Sequence, residues 1–174
     1  ILFKGPMETP KGKGVKSINV TARKTWNTYA NKRTFQTLHG VDTVFSKAGI
    51  PIDITVVREN IEDTYGGVEH MLTHDVALSR RFITRPGSLQ LVRYAFEMAK
   101  LKKARRITCG HKANIMKLTD GLFLECFYEV AKEYPELKAD DVIVDDLCMK
   151  LVTRPDNFDV VVLTNLQGDI VSDL

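Results

Sequence analysis

Apolar residues recur along the chain in two patterns, one typical of buried strands and one typical of amphipathic helices. Residues 52–57 (IDITVV) are rich in β-branched side chains and predict a strand. Further strands are predicted at residues 106–109, 142–144 and 158–164. After a turn at residues 85–88, in which Ser88 would be the N-cap, apolar residues recur at helical spacing: Leu89, Val92, Ala95, Phe96 and Ala99.

A second helix is predicted after Thr119 or Asp120, either of which could cap it, and it would stop near Pro135. Weaker patterns predict a short strand at residues 1–3, a helix or turn at 17–30, extended arms or a hairpin at 68–84, and a short helix before Pro155. Strands that alternate with helices predict an α/β fold with one or more mainly parallel sheets.

Composition narrows the class of protein. The chain has 174 residues, of which 44% are hydrophobic and 27% charged, as in an ordinary soluble globular domain. A net charge of +3 does not argue for nucleic acid, and we interpret the basic residues at 100–106 as a solvated helix end. No apolar run approaches the roughly 20 residues of a membrane span, so we expect no membrane partner.

The three cysteines are odd in number and lack metal-ligand spacing, which suits a reducing compartment. We expect the cytoplasm or the mitochondrial matrix. The chain begins in what reads as a strand and ends in what reads as the first turn of a helix, so we also expect a piece of a larger protein.

Three arginines near strand ends and loops could bind a substrate with several carboxylates: Arg23, Arg33 and Arg58. A planar guanidinium can hold a carboxylate through two parallel hydrogen bonds. Each arginine taken alone could equally be a surface residue, and the sequence does not tell whether the three converge.

Three aspartates lie where strands pass into helices. Asp169 and Asp173 are four residues apart and therefore on one helix face, while Asp145 closes another strand. Carboxylates in such positions can bind Mg²⁺ or Mn²⁺, which prefer oxygen ligands. The alternative is helix capping, since an aspartate in a first turn is favoured by the helix dipole without any metal.

Tyr65 and Lys112 could act as general acid or base if a neighbouring charge shifts their pKa values. Tyr65 precedes two glycines, and Lys112 follows a predicted strand. The alternative is a packed tyrosine and a solvated lysine. His111 reads as a loop histidine because it has no partner at metal-ligand spacing.

Five blocks of sequence, in order along the chain, resemble the β-decarboxylating dehydrogenases, which act on isocitrate, isopropylmalate, homoisocitrate or tartrate. The blocks are residues 3–10 (FKGPMETP), 16–23 (KSINVTAR), 57–67 (VRENIEDTYGG), 111–117 (HKANIMK) and 165–173 (NLQGDIVSD). Because Ser17 is followed two residues later by Asn19, the chain looks most like isocitrate dehydrogenase.

The resemblance implies the isocitrate/isopropylmalate dehydrogenase-like fold, in which a small substrate domain carries clasp arms and adjoins an edge of the large domain. By this resemblance, residues 1–28 would form the edge of the large domain with the substrate loop. Residues 29–62 and 87–174 would form the two parts of the small domain. Residues 63–86 would be the arms that clasp a second subunit in a homodimer with shared active sites.

The resemblance also implies a role for each candidate residue in oxidative decarboxylation of isocitrate, with reduction of NAD or NADP and dependence on Mg²⁺ or Mn²⁺. Tyr65 would protonate the enolate, and Lys112 would assist proton removal in the neighbouring subunit's site. The remaining roles are substrate binding by Ser17, Asn19, Arg23, Arg33 and Arg58, metal binding by Asp145, Asp169 and Asp173, and contact with the nicotinamide end of the cofactor by Lys4, Thr9 and Asn114.

Some positions depart from the family pattern. Thr34 follows Arg33 where the family often has proline, and Gln167 stands where Asn, Tyr or Phe is common. Two alternatives stay open: a non-catalytic regulatory subunit of an isocitrate dehydrogenase, and a homoisocitrate or isopropylmalate dehydrogenase. This segment alone is not expected to turn over, since it lacks the family's adenine-binding segments.

Overall fold

Strands and helices alternate along most of the chain in the computed structural model, which describes residues 1–5, 7–8 and 17–174. The helices are α1 (Ile18–Thr25), α2 (Val44–Lys47), α3 (Arg85–Lys102), α4 (Thr119–Ala131), α5 (Val144–Thr153) and α6 (Asn165–Val171). The strands are β1 (Ala30–Gln36), β2 (Asp53–Glu59), β3 (Val68–Thr73), β4 (Val76–Arg80), β5 (Arg106–His111), β6 (Lys138–Ile143) and β7 (Val160–Leu163). Single turns of 3₁₀ helix lie at Asp63–Gly66 and Pro155–Asn157.

Five of these strands form one sheet in the order β1-β2-β7-β5-β6. The pairs β2–β7, β7–β5 and β5–β6 are parallel, and only β1 runs antiparallel to its neighbour. The predicted α/β fold with a mainly parallel sheet is confirmed. Because parallel strands bring their carboxyl ends to the same edge, the residues that follow β2, β5 and β7 share one edge of the sheet.

Helices cover both faces of the sheet, and each face has its own apolar core. On one face α3 and α4 bury Leu91, Phe96 and Phe127 against Val57 and Val162. On the other, the core includes Val56, Leu147, Val161, Leu163 and Val171, to which α5 and α6 contribute. Burial on both faces explains why β2 and β7 read as continuous apolar runs.

The edge strand β1 was not predicted, and a predicted strand at residues 1–3 is wrong. The sequence of β1 (ANKRTFQ) is mostly polar, and its side chains are exposed or half-buried because one side of the strand is open. Residues 1–3 have no regular structure, and Ile1 and Phe3 are exposed. Within the described residues they pair with no strand, so no strand pairing fixes them in an extended conformation.

The starts of the two long helices also differ from the prediction. Thr84, rather than Ser88, caps α3, and its Oγ1 accepts a hydrogen bond from the Gly87 N–H at 3.1 Å. Pro86 fits the first turn of the helix. Backbone N–H groups in a first turn have no partner within the helix, so proline, which has no N–H, loses no hydrogen bond there. Neither Thr119 nor Asp120 caps α4, whose N-cap is Leu118 without a side-chain hydrogen bond. The carboxylate of Asp120 is instead buried and bound to Arg81.

Strands β3 and β4 form a separate two-stranded hairpin, as predicted for residues 68–84. Every residue of both strands is exposed. Within the described residues, no helix is both long and apolar enough to cross a membrane.

Candidate active site

Arg58, the penultimate residue of β2, is the most buried member of a polar cluster at the carboxyl edge of the sheet. Its side chain is 1% exposed and is held by the first residue of α6, because Nε and Nη2 donate to Asn165 Oδ1 at 3.0 and 2.8 Å. Nη1 donates to Asp169. The strand thus supplies the arginine and the helix fixes its orientation.

Tyr65 reaches the same carboxylate from the turn after β2. Its hydroxyl donates to Asp169 Oδ2 at 2.6 Å, and the Arg58 guanidinium lies 5.1 Å from the centre of its ring. Burial, followed by the hydrogen bond to Asp169, raises the pKa of Tyr65. The phenol therefore keeps its proton at neutral pH, as a general acid must.

Arg33 joins the cluster from the edge strand β1. Its guanidinium is 3.5 Å from Asp169 and 3.2 Å from Asp173, and it also donates to Ser172 Oγ at 2.5 Å. Both aspartates contact this single guanidinium, but only Asp169 lies in α6. The helix ends at Val171 and Asp173 lies in the turn after it, so the predicted placement of both aspartates on one helix face is not borne out.

Arg23, near the end of α1, completes the group of three arginines. Burial and then the positive charge of Arg58 lower its pKa, while the negative charge of Asp169 opposes the shift. Two of the three arginines, Arg33 and Arg58, contact Asp169 directly. Arg23 lies close enough to Arg58 for that positive charge to lower its pKa. Arginine side chains grouped in this way are suited to binding a polyanionic substrate.

The other predicted substrate and cofactor residues lie at the opening of the chain and after β5. Ser17 is the N-cap of α1 without a side-chain hydrogen bond, and Asn19 Oδ1 is buried without a partner among the described residues. Lys4 is exposed and, among the described residues, donates a hydrogen bond to the carbonyl of Gly5; Asn114 is also exposed. Thr9 lies outside the described residues.

Lys112 and Asp145 form a separate ion pair on another side of α6. With Leu166, Gln167 and Ile170 they line a cavity of about 480 Å³. The hydrogen bond from Lys112 lowers the pKa of Asp145. Neither residue is hydrogen-bonded to Tyr65 or Asp169, so this chain does not itself bring together all the predicted catalytic groups.

The aspartates fit a hard divalent cation only in part within one chain. Asp169 in α6 and Asp173 in the turn just after it offer carboxylate oxygens, which are the donors that Mg²⁺ and Mn²⁺ prefer. Among the described residues, no three acidic, histidine or cysteine side chains are grouped closely enough to hold a metal. A complete metal site therefore needs a ligand from elsewhere.

Sequence reasoning missed four residues that support this edge of the sheet: Asn165, Asp63, Asp120 and Arg81. Arg81 binds Asp63 and Asp120, which are 18 and 39 positions away. No local spacing signals such a contact. Asn165 could have been suspected, since it opens the helix that carries Asp169.

The comparisons with known proteins agree with this geometry. A family model described as "Isocitrate/isopropylmalate dehydrogenase" matches residues 1–174. The isocitrate dehydrogenase [NADP] of Thermus thermophilus is 48% identical over 174 residues, and the chain covers 35% of its length. The chloroplastic 3-isopropylmalate dehydrogenase of Solanum tuberosum is also 48% identical, over 172 residues, and the chain covers 47% of its length.

The three-dimensional comparison gives the same result. The crystal structure of isocitrate dehydrogenase from Methylococcus capsulatus superposes with a TM-score of 0.93 at 47% identity, over 98% of this chain and 50% of that one. The chain thus spans about a third to a half of the length of these proteins.

Proposed function

The chain belongs to the isocitrate/isopropylmalate dehydrogenase family, and from that premise we propose that the whole protein oxidatively decarboxylates isocitrate to 2-oxoglutarate and reduces NAD or NADP. The observation that carries this proposal is the contact of Arg33, Arg58 and Tyr65 with Asp169. Arg23 lies beside them, close enough to Arg58 for that charge to lower its pKa. Three guanidinium groups suit a substrate with three carboxylates, and the protonated phenol suits an acid that acts after carbon dioxide leaves.

Ser17 and Asn19 favour isocitrate over isopropylmalate, although relatives named for each substrate are equally similar to the chain. The Ser17 hydroxyl, which makes no capping hydrogen bond, could donate to a substrate carboxylate, as could Asn19 Nδ2. Asn19 Oδ1, which is buried without a partner among the described residues, could accept from a water that bridges to that carboxylate. An isopropyl group would leave them unpaired, at a cost of roughly 1–3 kcal/mol for each buried polar group.

Each candidate residue then has a definite task. Arg23, Arg33 and Arg58 hold the substrate carboxylates, and Tyr65 delivers a proton to the enolate carbon. Lys112 assists removal of the proton from the substrate hydroxyl, in the site of a second subunit. Lys4, Thr9 and Asn114 lie near the nicotinamide of the bound cofactor.

A divalent cation, Mg²⁺ or Mn²⁺, would be held by Asp169 and Asp173 together with Asp145 of a second subunit. Bound there, it would stabilise negative charge on the substrate oxygen. Without a cation, Arg33 and Arg58 neutralise Asp169, so the chain's own residues keep the carboxylates in place.

A homodimer with shared sites is supported by apolar side chains that lie exposed on the hairpin and on two helices. The hairpin β3–β4 and the helices α5 and α6 expose Met71, Leu72, Val76, Met149, Val152 and Ile170. Large exposed apolar patches are typical of an interface. We assign residues 63–86 to the clasp, 1–28 to the edge of the large domain, and 29–62 with 87–174 to the small domain.

A regulatory subunit without activity is the second candidate. A chain that had lost catalysis would be expected to lack at least one of the catalytic groups. Tyr65, Lys112 and all three aspartates are present, which favours the enzyme.

The test is reduced-cofactor formation by the full-length parent protein. It is offered isocitrate, homoisocitrate or isopropylmalate with NAD or NADP, with and without Mn²⁺. Mn²⁺-dependent turnover of isocitrate alone is expected. Absence of turnover with isocitrate still bound would reject the enzyme in favour of the regulatory subunit, and preference for another substrate would reject the role of Ser17 and Asn19.

A further inference from the structure

A second polar cluster lies beside the candidate active site and contains none of the residues to which a chemical role has been given. It consists of Arg81, which follows β4, and three partners: Asp63, Asp120 and Thr164. We call it the Arg81 cluster. Both aspartates are fully buried, and the arginine side chain is 14% exposed. Arg81 Nε donates to Asp63, Nη1 to Asp120, and Nη2 to Thr164 Oγ1 at 2.9 Å.

Asp63 connects this cluster to the turn that carries Tyr65 and to the start of α6. It opens the 3₁₀ turn Asp63–Gly66 with a positive φ of 70°, a conformation that aspartate tolerates better than most residues. Its Oδ1 accepts from the Thr64 N–H at 2.8 Å, and its Oδ2 accepts from the Leu166 N–H at 2.9 Å. The Leu166 N–H is one of the first-turn donors that have no partner within the helix.

Asp120 connects the same guanidinium to the loop that carries Lys112. Its Oδ2 accepts from the backbone N–H of Lys112 at 2.6 Å and from Gln167 Nε2 at 2.9 Å. Through two carboxylates, one arginine is therefore linked to three segments of the chain: the Tyr65 turn, the Lys112 loop and the first turn of α6, the helix in which Asp169 lies.

We propose that Arg81 is a positioning residue that fixes the Tyr65 turn, the Lys112 loop and α6 relative to one another. A guanidinium has five N–H groups in a rigid plane, so the directions in which it binds its three partners are not independent. A shift of one segment must break a bond in the cluster or move the other two. The inference rests on the proposed function, because Tyr65, Lys112 and α6 matter together only if they serve one reaction.

The test is Arg81→Lys in the full-length parent protein, with Arg93→Lys as the matched control. Lysine keeps the positive charge between the buried carboxylates but has a single nitrogen, which cannot reach all three partners in the same directions. Arg93 also makes two hydrogen bonds to a carboxylate, that of Glu133, but on the exposed surface of α3. Both proteins are assayed for kcat and for the KM of isocitrate, and amide hydrogen exchange is measured over residues 63–67, 111–116 and 164–171.

Arg81→Lys should lower kcat about ten-fold or more, because small displacements of reacting groups are costly, and should change KM much less. Exchange should become faster in all three segments. Arg93→Lys should alter neither kcat nor hydrogen exchange in the three segments. An unchanged kcat per folded molecule, or faster exchange in one segment alone, would overturn the inference.

A milder variant covers the case in which Arg81→Lys does not fold. Thr164→Val removes only the bond to Nη2 and should produce the same pattern more weakly, with kcat reduced about two- to five-fold; no reduction would count against the inference. If the wild-type parent turns over no isocitrate, the proposed function fails. Hydrogen exchange in the three segments then decides whether Arg81 couples them.

Discussion

At the scale of single residues, Asp169 is the point at which side chains from three elements meet: Arg33 from β1, Arg58 from β2 and Tyr65 from the turn after β2. Spacing of four residues predicted that Asp169 and Asp173 share a helix face, but α6 ends at Val171 and Asp173 lies in the turn beyond it. Their arginine partners could not be assigned, since Arg33 and Arg58 reach them from two strands that are far away in sequence. Asp120 was interpreted as a helix cap because its local context resembles one, yet Arg81 binds it inside the fold.

Replacing Tyr65 with phenylalanine tests the acid role directly. Tyr65→Phe should lower kcat for isocitrate by about 10²–10⁴-fold, the usual contribution of a general acid, with little change in isocitrate binding because the three arginines remain. Tyr134→Phe is the control, since it also removes a hydroxyl that donates to a carboxylate, that of Glu97, away from the site. An equal loss in both variants would assign the effect to stability instead.

Glu59 provides a pH-dependent contribution to stability. Its buried carboxyl accepts from the N–H groups of Ile61 and Glu62 at 2.8 Å each, and burial raises its pKa to about 7 from 4.5. The folded state thus binds this proton more tightly than the unfolded state, so the contribution is complete below the unfolded pKa and is lost as the pH rises through about 7.

The expected loss is on the order of 3 kcal/mol between about pH 5 and about pH 8. Urea unfolding of the parent protein at both pH values measures it. Glu59→Gln, which cannot titrate, should reduce this pH dependence, whereas Glu69→Gln on the exposed hairpin should leave it as in the wild type. If the free energy of unfolding depended on pH in the same way in the wild type and in Glu59→Gln, the assignment to Glu59 would be contradicted.

At the scale of elements, the buried strands and long helices were predictable and the edge and the helix starts were not. β2 and β7 are buried on both faces, so their apolar runs are unambiguous. The open edge strand β1 needs few apolar residues, so its sequence resembles a loop. The second residue of helix α3 is Pro86, which also suits a turn, and only the contact of Thr84 with Gly87 decides between the two.

Gly168 allows α6 to pack closely on β2. A Cβ at this position would lie 2.7 Å from Arg58 Cγ and 2.8 Å from Arg58 Cβ, and the buried arginine has no room to withdraw. Gly168→Ala should therefore destabilise the protein by about 1–3 kcal/mol through overpacking and weaken isocitrate binding. Calorimetry measures the change in stability, and the KM of isocitrate measures the change in binding.

Gly121 provides the matched control for this substitution. It lies inside α4, and a Cβ there would meet nothing within 4 Å. Gly121→Ala should stabilise the protein by up to about 1 kcal/mol, because alanine favours the helix. Destabilisation of similar size in both variants would show that close packing against Arg58 is not the cause.

At the scale of the whole molecule, two groups of catalytic candidates lie on different sides of α6. The arginines and Tyr65 surround Asp169, whereas Lys112 pairs with Asp145. The family resemblance predicted this division, since it assigns Lys112 and Asp145 to the site of a second subunit. The residue patterns alone gave no sign of it, because sequence spacing does not distinguish contacts within a chain from contacts between chains.

Complementation between two inactive variants tests the sharing of sites. Tyr65→Phe and Lys112→Met homodimers of the parent protein should each be nearly inactive. After unfolding and refolding together, half the dimers are mixed, and one of the two sites in each mixed dimer is intact. Activity should recover to about a quarter of the wild-type value. No recovery, with mixed dimers present by mass spectrometry, would locate both residues in the same subunit's site.

The contacts of Arg33 and Arg58 with Asp169 and Asp173 have a consequence for the order of events in the proposed site. The aspartates act as internal counter-ions, filling the places that substrate carboxylates would take, while the arginines fill the place of the cation. Binding of the substrate to the arginines would free the aspartates for the cation, and binding of the cation to the aspartates would free the arginines for the substrate. Substrate and cation should therefore strengthen each other's binding by equal factors, as thermodynamic linkage requires, because the site with both ligands bound is assembled by an exchange of ion pairs.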